Sequence, residues 1–207
     1  MKVLVFLSLM SIIQTTPDGK NHISMDYVEG DTLSKVWLSF SGDQKLDIAR
    51  QLRDILKGIR SIELPEGTRI GAYAGDQIRD TRVYDTHTAP ACRDEKEFND
   101  YLITSLIPRT PPVLRSAFAR RLRTNHSIVF THGDLAPRNI IVRDGKIVAL
   151  LDWEVAGWYP EYWEYVKYFQ RVGTDVWDWW RYAEDIFPEA YEDELLDYVA
   201  LSKLQWP

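Results

Sequence analysis

The sequence predicts an α+β fold in which a central β-hairpin has helices before and after it. Apolar residues recur with helical spacing between 48 and 59 and again between 98 and 106. Two extended apolar runs flank Asp144-Gly145, which is a strong hairpin-turn signal. Helical patterns return after Pro160, and the 207 residues suffice for one domain with a full core.

The N-terminal part of the chain predicts a short hairpin followed by a helix. Turn chemistry at 17–20 precedes the extended stretch HISMDYV, so this hairpin is expected to end near Gly30. Ser41 and Gln44 form a capping-box pattern at the start of the helix. The buried face of that helix is predicted to consist of Ile48, Leu52, Ile55, Leu56 and Ile59.

Residues 63–93 show no clear period and predict a long loop or an irregular insertion, a feature that is often functional. A second helix is predicted around Phe98 and Leu102, and a third is predicted to run from Pro112 to about Arg123. Short strands are expected at 128–130, 140–142 and 147–151. The C-terminal helices are predicted in EYWEYVKYF, where Pro160 takes the N-terminal position, and in VWDWWRYAEDIF and EDELLDYVALSKL.

Composition limits the classes of partner. The net charge of −6 provides no basic stripe, which argues against a nucleic-acid partner. From Asp152 to the end there are 13 acidic residues against 4 Lys and Arg. This imbalance favours either a cationic small-molecule partner or solvated helix faces, and the second interpretation is the more common one.

The first 14 residues, MKVLVFLSLMSIIQ, raise the alternative of a targeting signal. They lack a small-x-small cleavage site and are too short to span a bilayer, so a buried strand or helix is the preferred interpretation. Cys92 is the only cysteine, which excludes a disulfide within the chain. We therefore expect a cytoplasmic protein without a membrane partner.

The segment THGDLAPRNIIV holds three polar residues immediately before an apolar strand. If the turn centres on Asp144 and Gly145, the paired residue numbers sum to 289, so Asn139 faces Leu150 and Asp152 lies one step beyond. Asp134 lies in the loop that leads into the same end of the hairpin. These three oxygen-bearing side chains are therefore expected to meet, and their donor set suits Mg²⁺ better than zinc.

The spacing of His132, Asp134 and Asn139 matches the kinase catalytic loop, H-R-D-L-x-x-x-N, with an Asp downstream. Together with ALLDWEVAGWYPEYWEYVKYF, the segment resembles the aminoglycoside and choline-type small-molecule phosphotransferases, especially their fungal-type members, whose fold is protein-kinase-like. SMDYVEGDTL resembles the hinge of this family. The resemblance covers roughly residues 20 to 200.

The resemblance implies an ATP-dependent phosphotransferase that acts on a hydroxyl of a small molecule, with ATP and Mg²⁺ as cofactors. It implies that Asp134 is the catalytic base, that Asn139 and Asp152 bind Mg²⁺, and that His132 braces the loop. The backbone near Asp26 and Val28 would contact adenine.

The sequence departs from this family before the hinge. The only lysines before Asp26 are Lys2 and Lys20, and no glycine-rich phosphate loop precedes the hinge. We therefore predict that residues 1–30 are a remnant of the nucleotide lobe and that residues 31–207 form the helical lobe. Two alternatives follow: a catalytically impaired binding protein, and a metal-dependent phosphohydrolase that uses the same carboxylates.

Several residues also have structural interpretations. His132 is expected to be a hydrogen-bonded loop histidine rather than a metal ligand. Arg138 fits a phosphate contact or an ion pair, and Glu154 fits a substrate contact or a structural hydrogen bond. The tryptophans and Tyr159 could form a ligand platform, although core packing is the more common role at helical spacing. The other three histidines show no metal-site spacing.

Overall fold

The computed structural model describes residues 12–15, 21–24, 27–73, 76–82, 86–170 and 178–205. The strands, in chain order, are β1 (Ile12–Thr15), β2 (Asn21–Ser24), β3 (Asp31–Thr32), β4 (Gly71–Ala72), β5 (Gln77–Thr81), β6 (Thr86–Pro90), β7 (Ile128–Thr131), β8 (Ile140–Arg143), β9 (Lys146–Leu150) and β10 (Gly157–Pro160). The helices are α1 (Leu33–Val36), α2 (Gly42–Arg60), α3 (Glu95–Thr104), α4 (Pro112–Arg121), α5 (Trp163–Gln170), α6 (Ala183–Ile186) and α7 (Glu192–Ser202). None of these described helices is long and apolar enough to cross a membrane.

Helix α2 forms where the capping box predicted it. The Ser41 hydroxyl accepts a hydrogen bond from the Gln44 backbone N–H, and the Gln44 side chain accepts one from the Ser41 N–H. This reciprocal cap satisfies two of the free N–H groups at the helix start. All five residues predicted for the apolar face are buried: Ile48, Leu52, Ile55, Leu56 and Ile59. They pack in one core with Leu135, Ile140 and Leu150 of the central hairpin region.

The central hairpin, β8–β9, turns at Asp144 and Gly145 as predicted. Both turn residues have positive φ, +50° and +71°, which matches the right-handed twist of the flanking strands. The short strand β3 pairs with the other edge of β8, with Asp31 opposite Val142. Residues 27–32 therefore run beside the hairpin.

The predicted register holds for the two residue pairs next to the turn and is wrong by one residue after them. Val142 faces Ile147, as the sum of 289 requires, but Ile141 faces Ala149 and Ile140 faces Leu150. A β-bulge at Val148 supplies the extra residue. Consequently the Asn139 carbonyl accepts a hydrogen bond from the Leu151 N–H at 2.7 Å, and Asn139 faces Leu151 rather than Leu150.

A second sheet, in the order β4-β10-β7, was not predicted in full. Pro160 ends strand β10 instead of starting α5, so the prediction of an N-terminal helical proline there is wrong. The insertion between α2 and α3 is also more regular than predicted, because β5 and β6 pair as an antiparallel hairpin. Strands β1 and β2 pair as an antiparallel ladder, with Thr15 opposite Asn21. The predicted turn at 17–20 and residues 1–11 of the apolar N-terminal stretch lie outside the described residues.

Four of the predicted helices after α2 appear with shifted ends, whereas the one predicted at 176–187 does not form as a single helix. The α3 face packs around Phe98 in a second core that also contains Tyr159 and Trp163. Helix α4 begins with Pro112, and α7 covers most of the last predicted helix. In the segment 176–187, residues 178–187 are described and form one 3₁₀ turn and the short helix α6. The aromatic residues mostly form core, since Trp37, Trp158, Trp163 and Trp179 are all buried.

Candidate active site

The loop formed by residues 132–139 connects β7 to β8 and is almost entirely buried. Asp134 exposes only 7% of its surface, and its Oδ2 accepts hydrogen bonds from Arg138 at 2.6 Å and from the Asn139 amide at 2.9 Å. The same Asn139 Nδ2 donates to the Asp134 carbonyl at 3.0 Å. Local contacts thus fix both the backbone and one carboxylate oxygen of Asp134.

His132 connects this loop to the segment that carries Asp152. Its Nε2 lies 2.9 Å from the Leu151 carbonyl oxygen, and its Nδ1 accepts from the Asp134 N–H at 3.2 Å. Because the carbonyl can only accept, Nε2 carries the proton. Burial lowers the pKa of His132, against the opposing effects of the Leu151 hydrogen bond and the Asp134 and Asp152 carboxylates, so the ring is neutral. The Trp153 ring packs against it, with ring centroids 4.5 Å apart.

Asp152 follows β9 and is solvent-exposed. Its φ of +63° lies in the left-handed region, which is uncommon for residues other than glycine and which concentrates at functional sites. The structure brings Asp134, Asn139 and Asp152 to one end of the β8–β9 hairpin: Asn139 touches Asp134, and both carboxylates act electrostatically on His132. Among the described residues, no group of three or more His, Cys, Asp or Glu side chains is arranged to hold a metal ion.

The predicted adenine-contacting segment is described only in part. Asp26 lies outside the described residues. Val28 is half-buried and stands just before Gly30, which passes close to Ile141 and Val142 of the hairpin. The neighbouring Glu29 forms an ion pair with Arg143 at 3.4 Å. Residues 30–32 of the segment that resembles a hinge therefore lie along β8.

Glu164 of α5 is the site residue that sequence reasoning missed. It is 2% exposed, and its carboxylate accepts the backbone N–H groups of His132 at 2.6 Å and of Gly133 at 3.0 Å. Burial raises the pKa of Glu164 to about 7, although those two hydrogen bonds act to lower it. A lone acid between aromatic residues in a buried helix was the available signal, because such a group needs partners.

Two residues whose roles the sequence left open have partners of opposite charge. Arg138 forms an ion pair with Asp134. Glu154 lies 3.5 Å from the Arg79 guanidinium of β5. The second pair shows that the β5–β6 hairpin reaches the segment that follows Asp152.

The acidic C-terminal part is partly balanced by cations from elsewhere in the chain. Asp178 pairs with Lys45 at 2.9 Å, Asp197 pairs with Arg121 at 2.7 Å, and Glu194 pairs with Arg123. Much of this charge therefore belongs to helix contacts rather than to a single acidic surface.

Residues 19–201 match the family model described as the phosphotransferase enzyme family, APH. No curated protein matches the sequence closely enough to count as a relative.

Solved structures of aminoglycoside phosphotransferases share the fold. The GDP complex of wild-type aminoglycoside 2'-phosphotransferase-IIIa superposes with a TM-score of 0.56 at 17% identity, over 91% of this chain and 62% of that one. The streptomycin–ATP complex of APH(2")-IIa gives 0.60 at 14% identity, over 94% and 67%. Aminoglycoside-3'-phosphotransferase of type VIII gives 0.52 at 15% identity, over 90% and 70%. The chain thus spans less than two thirds of the first of these structures, and its α+β architecture is their kinase-like fold.

Proposed function

Because the chain belongs to the phosphotransferase enzyme family, we propose that it transfers the γ-phosphoryl group of ATP to a hydroxyl group of a small molecule. The observation that carries the proposal is the buried 132–139 loop, which holds Asp134 and Asn139 in contact at the end of the hairpin that continues to Asp152. Phosphoryl transfer depends almost entirely on such positioning and on charge stabilisation.

In the proposed reaction, Asp134 acts as the base. The acceptor hydroxyl oxygen forms a bond to the γ-phosphorus, the bond to the ADP oxygen breaks, and the hydroxyl proton passes to the Asp134 carboxylate. Arg138 and Asn139 both donate to Oδ2 and fix the plane of the carboxylate. His132 braces the loop from behind through its two ring nitrogens.

Asn139 and Asp152 are the proposed Mg²⁺ ligands. Since Nδ2 of Asn139 is committed to Asp134, its amide oxygen is the atom left to bind a cation, and Asp152 adds an exposed carboxylate. Mg²⁺ is commonly held by one or two carboxylates together with substrate phosphates, so this oxygen set fits. When bound, the ion would neutralise charge on the phosphates. Adenine would meet the backbone near Asp26 and Val28.

The decisive experiment replaces the base. An Asp134→Ala variant should lose about 10²–10⁴ in turnover, the usual contribution of a general base, while MgATP binding by calorimetry persists. Asp144→Asn is the matched control, because this exposed acid lies at the opposite end of the hairpin and Asn tolerates its positive φ.

Transfer by Asp134→Ala at the rate of the parent would refute the assignment of the base. MgATP binding by the parent without transfer to any acceptor would favour the binding-protein alternative. Release of phosphate from simple esters in the absence of ATP would favour the phosphohydrolase.

A further inference from the structure

A cavity of about 270 Å³ opens beside β10, between the loop that follows α2 and the end of the β5–β6 hairpin. Pockets that bind small molecules usually measure roughly 300–1,000 Å³, so this one has room for a ligand of one or two rings. The insertion at 63–93, which the sequence could not assign to regular structure, supplies most of its lining.

The lining of the cavity combines small and aromatic residues with polar ones, Thr68 among them. Gly71, Ala72 and Ala91 are buried and small, so they leave a surface that a flat group can approach closely. Trp158 completes the floor and packs on Phe130 at 5.2 Å between ring centroids. Tyr73, which is 76% exposed, stands at the rim and contacts the same Phe130 ring at 6.1 Å. A ligand in the cavity would therefore meet aromatic rings.

The charged residues at the rim have opposite signs. Arg69 and Asp76 both line the opening and are both exposed. Within the described chain neither side chain forms a close ion pair, and the Arg69 charge also acts on the Glu97 carboxylate. One cation and one anion together do not select a strongly charged ligand of either sign.

Backbone contacts place this cavity next to the 132–139 loop. The Tyr73 N–H donates to the Ala156 carbonyl at 2.8 Å, and Gly157 pairs with Thr131, which directly precedes His132. A Cβ added to Gly133 would come within 3.2 Å of the Val155 side chain. The cavity wall at β4 and the segment before Asp134 thus flank β10 at the same end of one sheet.

We propose that this cavity receives the acceptor and selects a flat ring-bearing alcohol or phenol over a polycationic aminocyclitol. That the ligand of this cavity is the phosphoryl acceptor rests on the proposed function. Recognition by the cavity itself is independent of that chemistry, and it can be measured without nucleotide.

The test is a titration of the full chain with 7-hydroxycoumarin, in which the fluorescence of this probe reports binding. A calorimetric titration of the chain with streptomycin runs in parallel. We expect the coumarin to bind more tightly than streptomycin. Tyr73→Ala should weaken coumarin binding about two- to tenfold, the range typical of one aromatic contact. Tyr73→Phe keeps the ring and should bind like the parent, and Trp180→Ala, which removes an exposed aromatic residue of the C-terminal part, should also leave binding unchanged.

Tighter binding of streptomycin, absence of coumarin binding, or a Tyr73→Ala variant that binds coumarin like the parent would overturn the proposal. Thermal melts of each variant confirm folding, and Tyr73 is exposed enough for its replacement to spare the core. Asp134→Ala separates the two proposals, because it should keep coumarin binding while losing transfer. Phosphorylation of an aminocyclitol together with failure of coumarin to bind would leave the proposed function intact and remove this inference.

Discussion

The 132–139 loop and the β5–β6 hairpin are both anchored to α5, but the loop is held through backbone N–H groups, whereas the hairpin is held mainly through the buried Asp80 carboxylate. Glu164 accepts two loop N–H groups. Three residues later on the same helix, the Lys167 ammonium donates to Asp80 of β5 at 2.9 Å and to the Thr81 carbonyl at 2.5 Å. One short helix therefore positions both the proposed base and the hairpin beside the proposed acceptor cavity.

The two anchors differ in what they tolerate. A backbone N–H is present whatever the side chain, so the loop anchor depends on a single carboxylate. The hairpin anchor depends on charge pairing, because Asp80 is fully buried and also accepts from Arg82 at 3.0 Å. Lys167 and Arg82 together lower the pKa of Asp80 against the effect of burial. The anchoring of the hairpin should therefore be more sensitive than that of the loop to the loss of a single charge.

The largest expected effect is on the hairpin anchor. Asp80→Asn would leave two buried cations without their shared carboxylate, and it should lower the free energy of unfolding by about 3–5 kcal/mol. Urea denaturation measures this. Asp100→Asn breaks an exposed ion pair with Lys96 and should cost less than about 1 kcal/mol. Equal costs for the two variants would contradict the contrast.

The loop anchor should come next. Glu164→Ala leaves two buried N–H groups without partners and should cost at least about 2 kcal/mol of unfolding free energy, since each unsatisfied group costs about 1–3 kcal/mol. It should also reduce turnover while leaving coumarin binding nearly unchanged, because the cavity does not contain this residue. A variant with normal turnover would show that Glu164 does not position Asp134.

The pH dependence of stability provides a sharper test of the same carboxyl group. The pKa of Glu164 is raised to about 7 from an ordinary 4.5, so its contribution to stability is fully present below pH 4.5 and is lost as pH rises toward 7. The loss amounts to at most about 3 kcal/mol. The Gln side chain of Glu164→Gln does not titrate. Between pH 5 and pH 8 the unfolding free energy of the parent should therefore fall relative to that of the variant. A difference independent of pH would contradict the shifted pKa.

The smallest effect concerns the loop backbone. Gly133 has φ of +82°, and a methyl group there would also meet Val155. Gly133→Ala should therefore cost about 1–2 kcal/mol. Gly58→Ala, in open space within α2, should instead stabilise the protein by about 0.5–1 kcal/mol. Thermal melts of the two variants should move in opposite directions.

Sequence reasoning succeeded where the determinants are local. The capping box at Ser41 and the turn at Asp144-Gly145 each involve residues within four positions of one another, and both formed as predicted. The kinase-like fold was implied by the resemblance of several segments to a known family, and the family match and the shared fold confirm it. The roles assigned to Asp134, Asn139, Asp152, His132, Asp26 and Val28 stay predictions, as do the two-part division at residue 30 and the cytoplasmic location.

Sequence reasoning failed where interacting residues lie far apart in the sequence or where no residue pattern marks the feature. The contact of Glu164 with His132 spans 32 residues, and no local pattern marks it. Strands β4 and β10 form only through long-range pairing, in which β10 lies between β4 and β7. The alternation of β5 was hidden because its inward residues include the charged Asp80, whose partner Lys167 lies 87 residues away. No glycine marks the bulge at Val148.

The bulge at Val148 has a consequence for aligning sequences of related proteins. Deleting this residue would leave every other partner in the β8–β9 ladder unchanged, from Val142 with Ile147 to Ile140 with Leu150. A hairpin that lost the bulge without losing a residue would instead shift Leu151 and Asp152 by one position against Asn139. A relative whose hairpin is one residue shorter therefore brings its own aspartate into equivalence with Asp152 when the gap is opened at Val148.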